Sequence, residues 1–236
     1  MKRKIDRQLG VSGSRQYRVL HNGYAGTLAP APSLLQLLLL ALPAFGLKAE
    51  VNWYRVKNLR HFLRGFWRVA MTRLLGLPCQ YGQLSAKVIR GNGEVLDFGI
   101  ISLRVITTAG ANYLVDALQN LTEPENFKYH GFGTGTNAEA TGDTALQTEL
   151  TTEYATDNTR PTGSQTEGAS ANIYRSVGTL SPDGSGNLAI TEHGVLSQAA
   201  TGGGTLLDRS VFSAVNLTRG SDSLQVTYDF TLVPGS

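Results

Sequence analysis

Four β-prone segments close this chain, and they restrict its fold more than any other feature. They run from Asn172 to Leu180, Leu188 to Ser197, Thr205 to Leu217 and Ser223 to Val233, separated by Pro182-Asp183-Gly184, Gly202-Gly203-Gly204 and Gly220-Ser221-Asp222. Proline fixes φ and glycine reaches conformations closed to other residues, so these separators read as turns. In the last segment Leu224, Val226, Tyr228, Phe230 and Leu232 alternate with Gln225, Thr227, Asp229 and Thr231. Successive side chains of a strand point to opposite faces, which predicts the first set inward and the second toward water. The spacing predicts a mainly β fold, an antiparallel β-sandwich of jelly-roll or immunoglobulin-like type.

Earlier in the chain, Gln83 to Arg90 and Glu94 to Ile106 read as a hairpin closed by Gly91-Asn92-Gly93, with Gly99 as a bulge. Thr107 or Thr108 can cap a short helix over 107–120, with Ala111, Leu114, Val115 and Leu118 on its apolar face. Between Val56 and Leu75, apolar residues recur at Val56, Leu59, Phe62, Leu63, Phe66, Trp67, Ala70 and Leu74, a helical period. Arg60, Arg64 and Arg68 stack at i, i+4 on another face, where like charges repel by about 0.2–0.5 kcal/mol per pair. Either this helix packs on its own domain with its arginines in water, or something anionic covers them. The run from Ser33 to Leu42 is nearly all leucine, but at about half the ~20 residues of a membrane span it is too short to cross a bilayer. As a signal-peptide core it stands too far from Lys2, Arg3 and Lys4. These readings divide the chain into an extended basic and apolar arm over 1–46, an amphipathic basic helix region over 47–80, and a β-sandwich over 81–236 with the 107–120 helix inserted. Trimming the arm before Leu47 is then expected to leave a folded β domain.

Charge is distributed unevenly along the chain. Residues 1–90 hold 15 Lys and Arg against Asp6 and Glu50, a charge of +13, and the remainder holds 6 basic and 16 acidic residues, −10, which together give the overall +3. Such asymmetry points to an anionic partner for the first part, or to one copy's basic segment resting on another copy's acidic domain. The contact residues expected on this ground are Leu35, Leu38, Leu39, Trp53, Arg60, Arg64, Trp67 and Arg68.

No catalytic, cofactor-binding or metal-binding constellation is expected. Cys79 is the only cysteine, which excludes an intrachain disulfide and reads as a small buried hydrophobe. His21, His61, His130 and His193 are not expected to cluster, no cysteine lies at metal-ligand spacing from them, and no serine has a recognisable elbow or histidine partner. Gly131, Gly133 and Gly135 lack the Lys-Ser/Thr ending of a phosphate loop and read as a strand edge or turn. Glu192 and His193 are strand neighbours facing opposite ways, unsuited to act on one substrate atom. The same holds for Asp208 and Arg209, whose guanidinium is a candidate for a carboxylate across a subunit boundary.

From about Glu94 onward the chain presents GEVLDFGIISLRVITTAGANYLVDAL, KYHGFGTGTNAEATGDTALQTE, NTRPTGSQTEGASANIYRSVGTL, AITEHGVLSQAATGGGTLLDRSVFSAVNL and SLQVTYDFTL in that order. This ordered set, roughly the last 60% of the chain, resembles a family of small tailed-bacteriophage virion proteins. The resemblance implies a non-enzymatic structural protein of the virion, assembled in the host cytoplasm without cofactors. It points first to a capsid cement or decoration protein held on the major capsid protein, and second to a tail, baseplate or fibre-adaptor component. A secreted glycan-binding sandwich is the alternative of a different class. A homo-oligomer, trimer or dimer, is expected among the partners. Nucleic acid is a less favoured partner, and no membrane span is expected.

Overall fold

The computed structural model describes residues 32–233 except 105 and 156, with two short antiparallel ladders nearer the N-terminus. Those pair β1 (Arg7–Leu9) with β2 (Arg15–Tyr17) and β3 (Leu20–His21) with β4 (Tyr24–Ala25). The rest of the expected arm up to residue 31 lies outside the described residues.

The fold is mainly β, built from two antiparallel sheets. Strands β5 (Cys79–Ile89) and β6 (Val95–Arg104) form the expected hairpin, with Arg90 N–H donating to Glu94 O and Gly93 at φ +84°. They join β8 (Thr166–Glu167), β9 (Ile173–Leu180) and β12 (Ser223–Val233) in a five-stranded sheet of order β6-β5-β12-β9-β8. Strands β7 (Tyr129–Gly133), β10 (Asn187–Leu196) and β11 (Leu206–Thr218) form the second sheet, order β11-β10-β7. Leu84, Val88, Phe98, Val226 and Tyr228 of the first sheet meet Phe132, Ile190, Val195, Phe212 and Val215 of the second in one buried core. The bulge expected at Gly99 is present, with φ +69° and a register shift against Ala86 and Lys87.

Two helices precede the sheets. Ser33 and Gln36 form a reciprocal capping box that starts α1 (Leu34–Ala41). Helix α2 (Ala49–Leu74) follows, with Glu50 in its first turn and Arg73 in its last, as the helix dipole favours. Helix α3 (Thr108–Leu118) lies between β6 and β7, and Thr107 Oγ1 caps it by accepting from Gly110 N–H. Its expected apolar face is corrected: Val115 is exposed and Leu118 is 89% exposed, because the helix docks through Gly110, against Leu207, and through Leu114.

The expected division of the chain is also corrected. Residues 34–41 are helical, and α1 and α2 pack with the start of β5 into a second core of Leu37, Ala41, Phe62, Phe66, Val69, Cys79, Tyr81 and Leu103. Leu37, Cys79 and Tyr81 are all buried, so neither the 46/47 nor the 80/81 boundary separates independent parts. Trimming before Leu47 would uncover this core rather than release a finished β domain.

The expected face of α2 is rotated. Val56, Trp67 and Leu74 are exposed, whereas Val51, Tyr54, Arg55, Asn58, His61, Phe62, Gly65, Phe66 and Val69 face inward. Polar residues occur on the buried side because α2 covers β6 and β11, one edge strand of each sheet, whose outward backbone groups lack strand partners there. Arg55 Nε donates to Phe98 O at 3.0 Å and Asn58 Nδ2 to Ile101 O at 2.7 Å, both on β6. Asn58 Oδ1 accepts from Ser213 N–H at 2.9 Å and Tyr54 Oη donates to Ser213 O at 3.0 Å, on β11. Asn58 thus joins the two edges through one amide. At Gly65 the helix comes so near that a Cβ would lie 1.5 Å from Leu103 O.

Replacing Asn58 with Ala orphans a buried donor and a buried acceptor, each worth about 1–3 kcal/mol. The expected result in urea denaturation is a loss of ~2–5 kcal/mol, and Gly65→Ala is expected to lose at least the ~1–3 kcal/mol of overpacking. Losses below 0.5 kcal/mol, the scale of an ordinary surface substitution, would show that α2 does not seal the edges.

Candidate functional site

Helix α2 has two faces of different use. Its inner face is committed to the sheets, and its outer face carries Trp53, Val56, Trp67, Met71 and Leu74, all exposed, interleaved with Lys57, Arg60, Arg64 and Arg68. Trp53 and Trp67 are 61% and 60% exposed, although indoles are costly to leave in water. Lys57 Nζ lies 5.1 Å over the Trp53 ring, and Arg64 makes a long 3.6 Å pair with Glu139, which also pairs with buried Arg104 at 3.1 Å. The only acid on α2 is Glu50, which pairs with Arg90. The outer face therefore combines positive charge with apolar surface and has no acid of its own helix on it.

Of the residues expected to make assembly contacts, Trp53, Arg60, Arg64, Trp67 and Arg68 share this face, and Leu35 and Leu39 are exposed on α1. Leu38 is half-buried against the second core. Sequence reading omitted Val56, Met71 and Leu74 as contacts, since periodicity assigned Val56 and Leu74 to the core.

A groove of about 580 Å³ opens where α2 meets β11. The register between β10 and β11 slips there, from Ile190 opposite Val215 to Glu192 opposite Val211, so three residues of β11 stand against Thr191 alone. Ser213 and Ala214 of this bulge and Asn216 beyond it face Lys57, Arg60 and His61, and Thr136, Thr191, Val211 and Phe212 complete the lining.

The same slip settles the surroundings of Glu192. Ile190 and Val195 face the inter-sheet core, while Glu192, buried, turns toward the segment after β7. Its carboxylate accepts from the N–H groups of Gly135 (3.0 Å), Gln147 (3.0 Å) and Thr148 (2.7 Å), and from Arg209 Nε at 2.9 Å. Gly133 and Gly135 are needed here because a Cβ at either would lie 2.5 Å from Glu192 Oε1. Arg209, proposed from sequence for a carboxylate of another subunit, instead binds Glu192 and Asp143 of its own chain.

Two further expectations are corrected. His130 and His193 do come together, Nδ1 to Nε2 at 2.9 Å, and Ser176 is hydrogen-bonded to His130 Nε2 at 2.8 Å. The chain of three crosses the sandwich, from β10 and β7 to Ser176 on β9. All three are fully buried, and Gly163 and Gly178 close on them, so substrate has no approach and the chain ties one sheet to the other. Among the described residues no group of three His, Cys, Asp or Glu could hold a metal ion, and no helix is long and apolar enough to cross a membrane. Compared with known proteins, the chain matches no family model, no curated protein and no solved structure.

Burial holds His130 down to about 3 and His193 well below the ordinary imidazole range. Burial with Arg60, Arg104 and Arg64 nearby lowers His61 to about 4. Each therefore gains its proton on unfolding, so the stability from keeping it neutral is complete above the unfolded value of ~6.5 and is lost as pH falls toward the folded values. Asp208 acts oppositely, because burial raises it to about 7 and its unfolded carboxyl has already lost its proton across much of that interval. Three groups outweigh one, and each contributes up to ~1.4 kcal/mol per pH unit. Urea denaturation at pH 7, 6 and 5 is expected to show stability falling on acidification, and a rise toward pH 5 would contradict this assignment.

Proposed function

We propose that this protein is a structural subunit of a tailed-bacteriophage particle, a capsid cement or decoration protein seated on the major capsid protein through the outer face of α1 and α2. One observation carries the reading: a 26-residue helix, about 39 Å long, leaves Trp53, Val56, Trp67, Met71 and Leu74 in solvent beside four unpaired or weakly paired cations. Exposed apolar surface on that scale belongs to an interface, and the cations select a partner surface rich in carboxylates. The resemblance of segment order from Glu94 onward supports placing that interface in a virion. The expected homo-oligomer, dimer or trimer, belongs to the same proposal.

The mechanism differs from a loose arm clamped onto a neighbour. Ordering a free arm costs roughly 1–2 kcal/mol of backbone entropy per residue at the moment of docking. Helix α2 has already been ordered by the sheets beneath it, so its tryptophans and arginines meet the shell preorganised and most of that cost falls on folding instead.

The expected outcome for Arg64→Glu with Arg68→Glu is a loss of shell binding of tenfold or more, measured by co-sedimentation with purified shells, with the melting temperature nearly unchanged. Wild-type binding by that variant would overturn the docking surface. Copy number in purified particles distinguishes the positions: hundreds of copies fit a cement protein, and a handful would replace that reading with a tail, baseplate or fibre-adaptor component.

A further inference from the structure

We propose that the groove between α2 and the β11 bulge is a binding site for an oxyanion, a phosphate or carboxylate group carried on a small polar ligand. The groove borrows Lys57 and Arg60 from the outer face of α2 but adds His61 and the β11 bulge, and Trp67, Arg64 and Arg68 take no part in it, so anion binding and shell docking are separable by experiment.

Charge is the first argument. Lys57 and Arg60 flank the opening, no acid lines it, and neither cation has a carboxylate partner among the described residues. The nearby acids are engaged elsewhere: Glu192 by Arg209 and three backbone N–H groups, and Glu139 by Arg104 and Arg64. Two cations without a counter-ion at a concave polar surface attract an anion more strongly than they would on open surface, because the low-dielectric walls concentrate the field.

The second argument is the state of His61, which is only 8% exposed and lines the groove. Arg60 Nε lies 3.2 Å from His61 Nε2, and since arginine can only donate, Nε2 accepts. The neutral ring must then carry its proton on Nδ1, and Nδ1 has no partner among the described residues. A buried donor left unmade costs about 1–3 kcal/mol, and Nδ1 is closed to solvent here, so a small turn of the ring toward the groove would bring it to an acceptor oxygen of the ligand and relieve that cost. A cation could not serve, because every unused group from α2 is a donor.

Size sets the rest of the ligand. The groove falls within the roughly 300–1,000 Å³ range of small-molecule sites, larger than a bare anion needs. The anion end belongs beside Arg60 and His61, and a hydroxyl-bearing remainder suits the polar surface of Thr191, Ser213 and Asn216.

The test titrates the full-length, isotope-labelled protein with inorganic phosphate and, separately, with acetate, using sodium chloride at equal ionic strength as the reference. Saturable shifts of the His61 ring and the Thr191 and Ser213 amides are expected, with the His61 titration midpoint raised by the anion. Lys57→Gln with Arg60→Gln should weaken binding at least tenfold while the melting temperature is retained, and Thr191→Val provides a second variant that leaves both cations in place. Tighter phosphate binding assigns a phosphate-bearing ligand, and tighter acetate binding a carboxylate. Shifts that merely follow the chloride reference, or saturable binding unchanged in the Lys57/Arg60 variant, would overturn the site.

Discussion

The structure depends on a helix that takes the place of two missing strands. Sheets end in backbone donors and acceptors that invite pairing with other chains. Here the open edges β6 and β11 run alongside α2, and Tyr54, Arg55 and Asn58 make to them hydrogen bonds that neighbouring strands would otherwise supply. Arg104 completes the seam from the sheet side, donating to Val211 O on β11 and to His61 O on α2. With these two edges satisfied internally, β6 and β11 are not left to grow by edge-to-edge addition, and the outer side of the helix is the face proposed for docking.

That arrangement separates folding from binding within a single element. The inner residues of α2 answer to backbone groups on two sheets, and Gly65 sets how near the helix can lie. Among the described residues the outer ones have only a long Arg64–Glu139 pair, the Lys57–Trp53 ring contact and the Arg60–His61 hydrogen bond, which leaves tryptophan, methionine, leucine and arginine exposed together. The bulge in β11 serves both sides at once: it frees Ser213 for Asn58 and Tyr54, and it opens the groove beside Lys57, Arg60 and His61.

Much of the sheet architecture was legible because its signals are local. The Gly91-Asn92-Gly93 turn, the Gly99 bulge, the Thr107 cap and the alternation from Leu224 to Phe230 each follow from neighbouring residues. The inner face of α2 was not legible. Arg55, Asn58 and His61 lie on it, and a hydrophobic period counts such residues as solvent-facing, whereas their partners are edge-strand groups far away in sequence. The same blindness separated His130 from His193 and Ser176, which meet only when β7, β9 and β10 are assembled. Asp229 and Thr231 are buried against expectation for a related reason: Arg175 pairs with Asp229 at 2.7 Å, and Tyr81, opposite Thr231, belongs to the core beneath α1 and α2. The charge asymmetry pointed to an anionic partner for the first part of the chain, but that Arg60, Arg64 and Arg68 sit on a helix packed against the sheets, and not on a loose arm, required the fold.

Native-state hydrogen exchange of the full-length protein addresses the sealing role of α2 most directly. If α2 closes the sandwich, the Ser213 amide and the inner amides of α2 exchange only through the same global opening as the centre of β12, at the full unfolding free energy. Exchange of α2 and Ser213 through a separate, low-energy opening, with β12 still protected, would show that the helix merely rests on a sandwich complete without it.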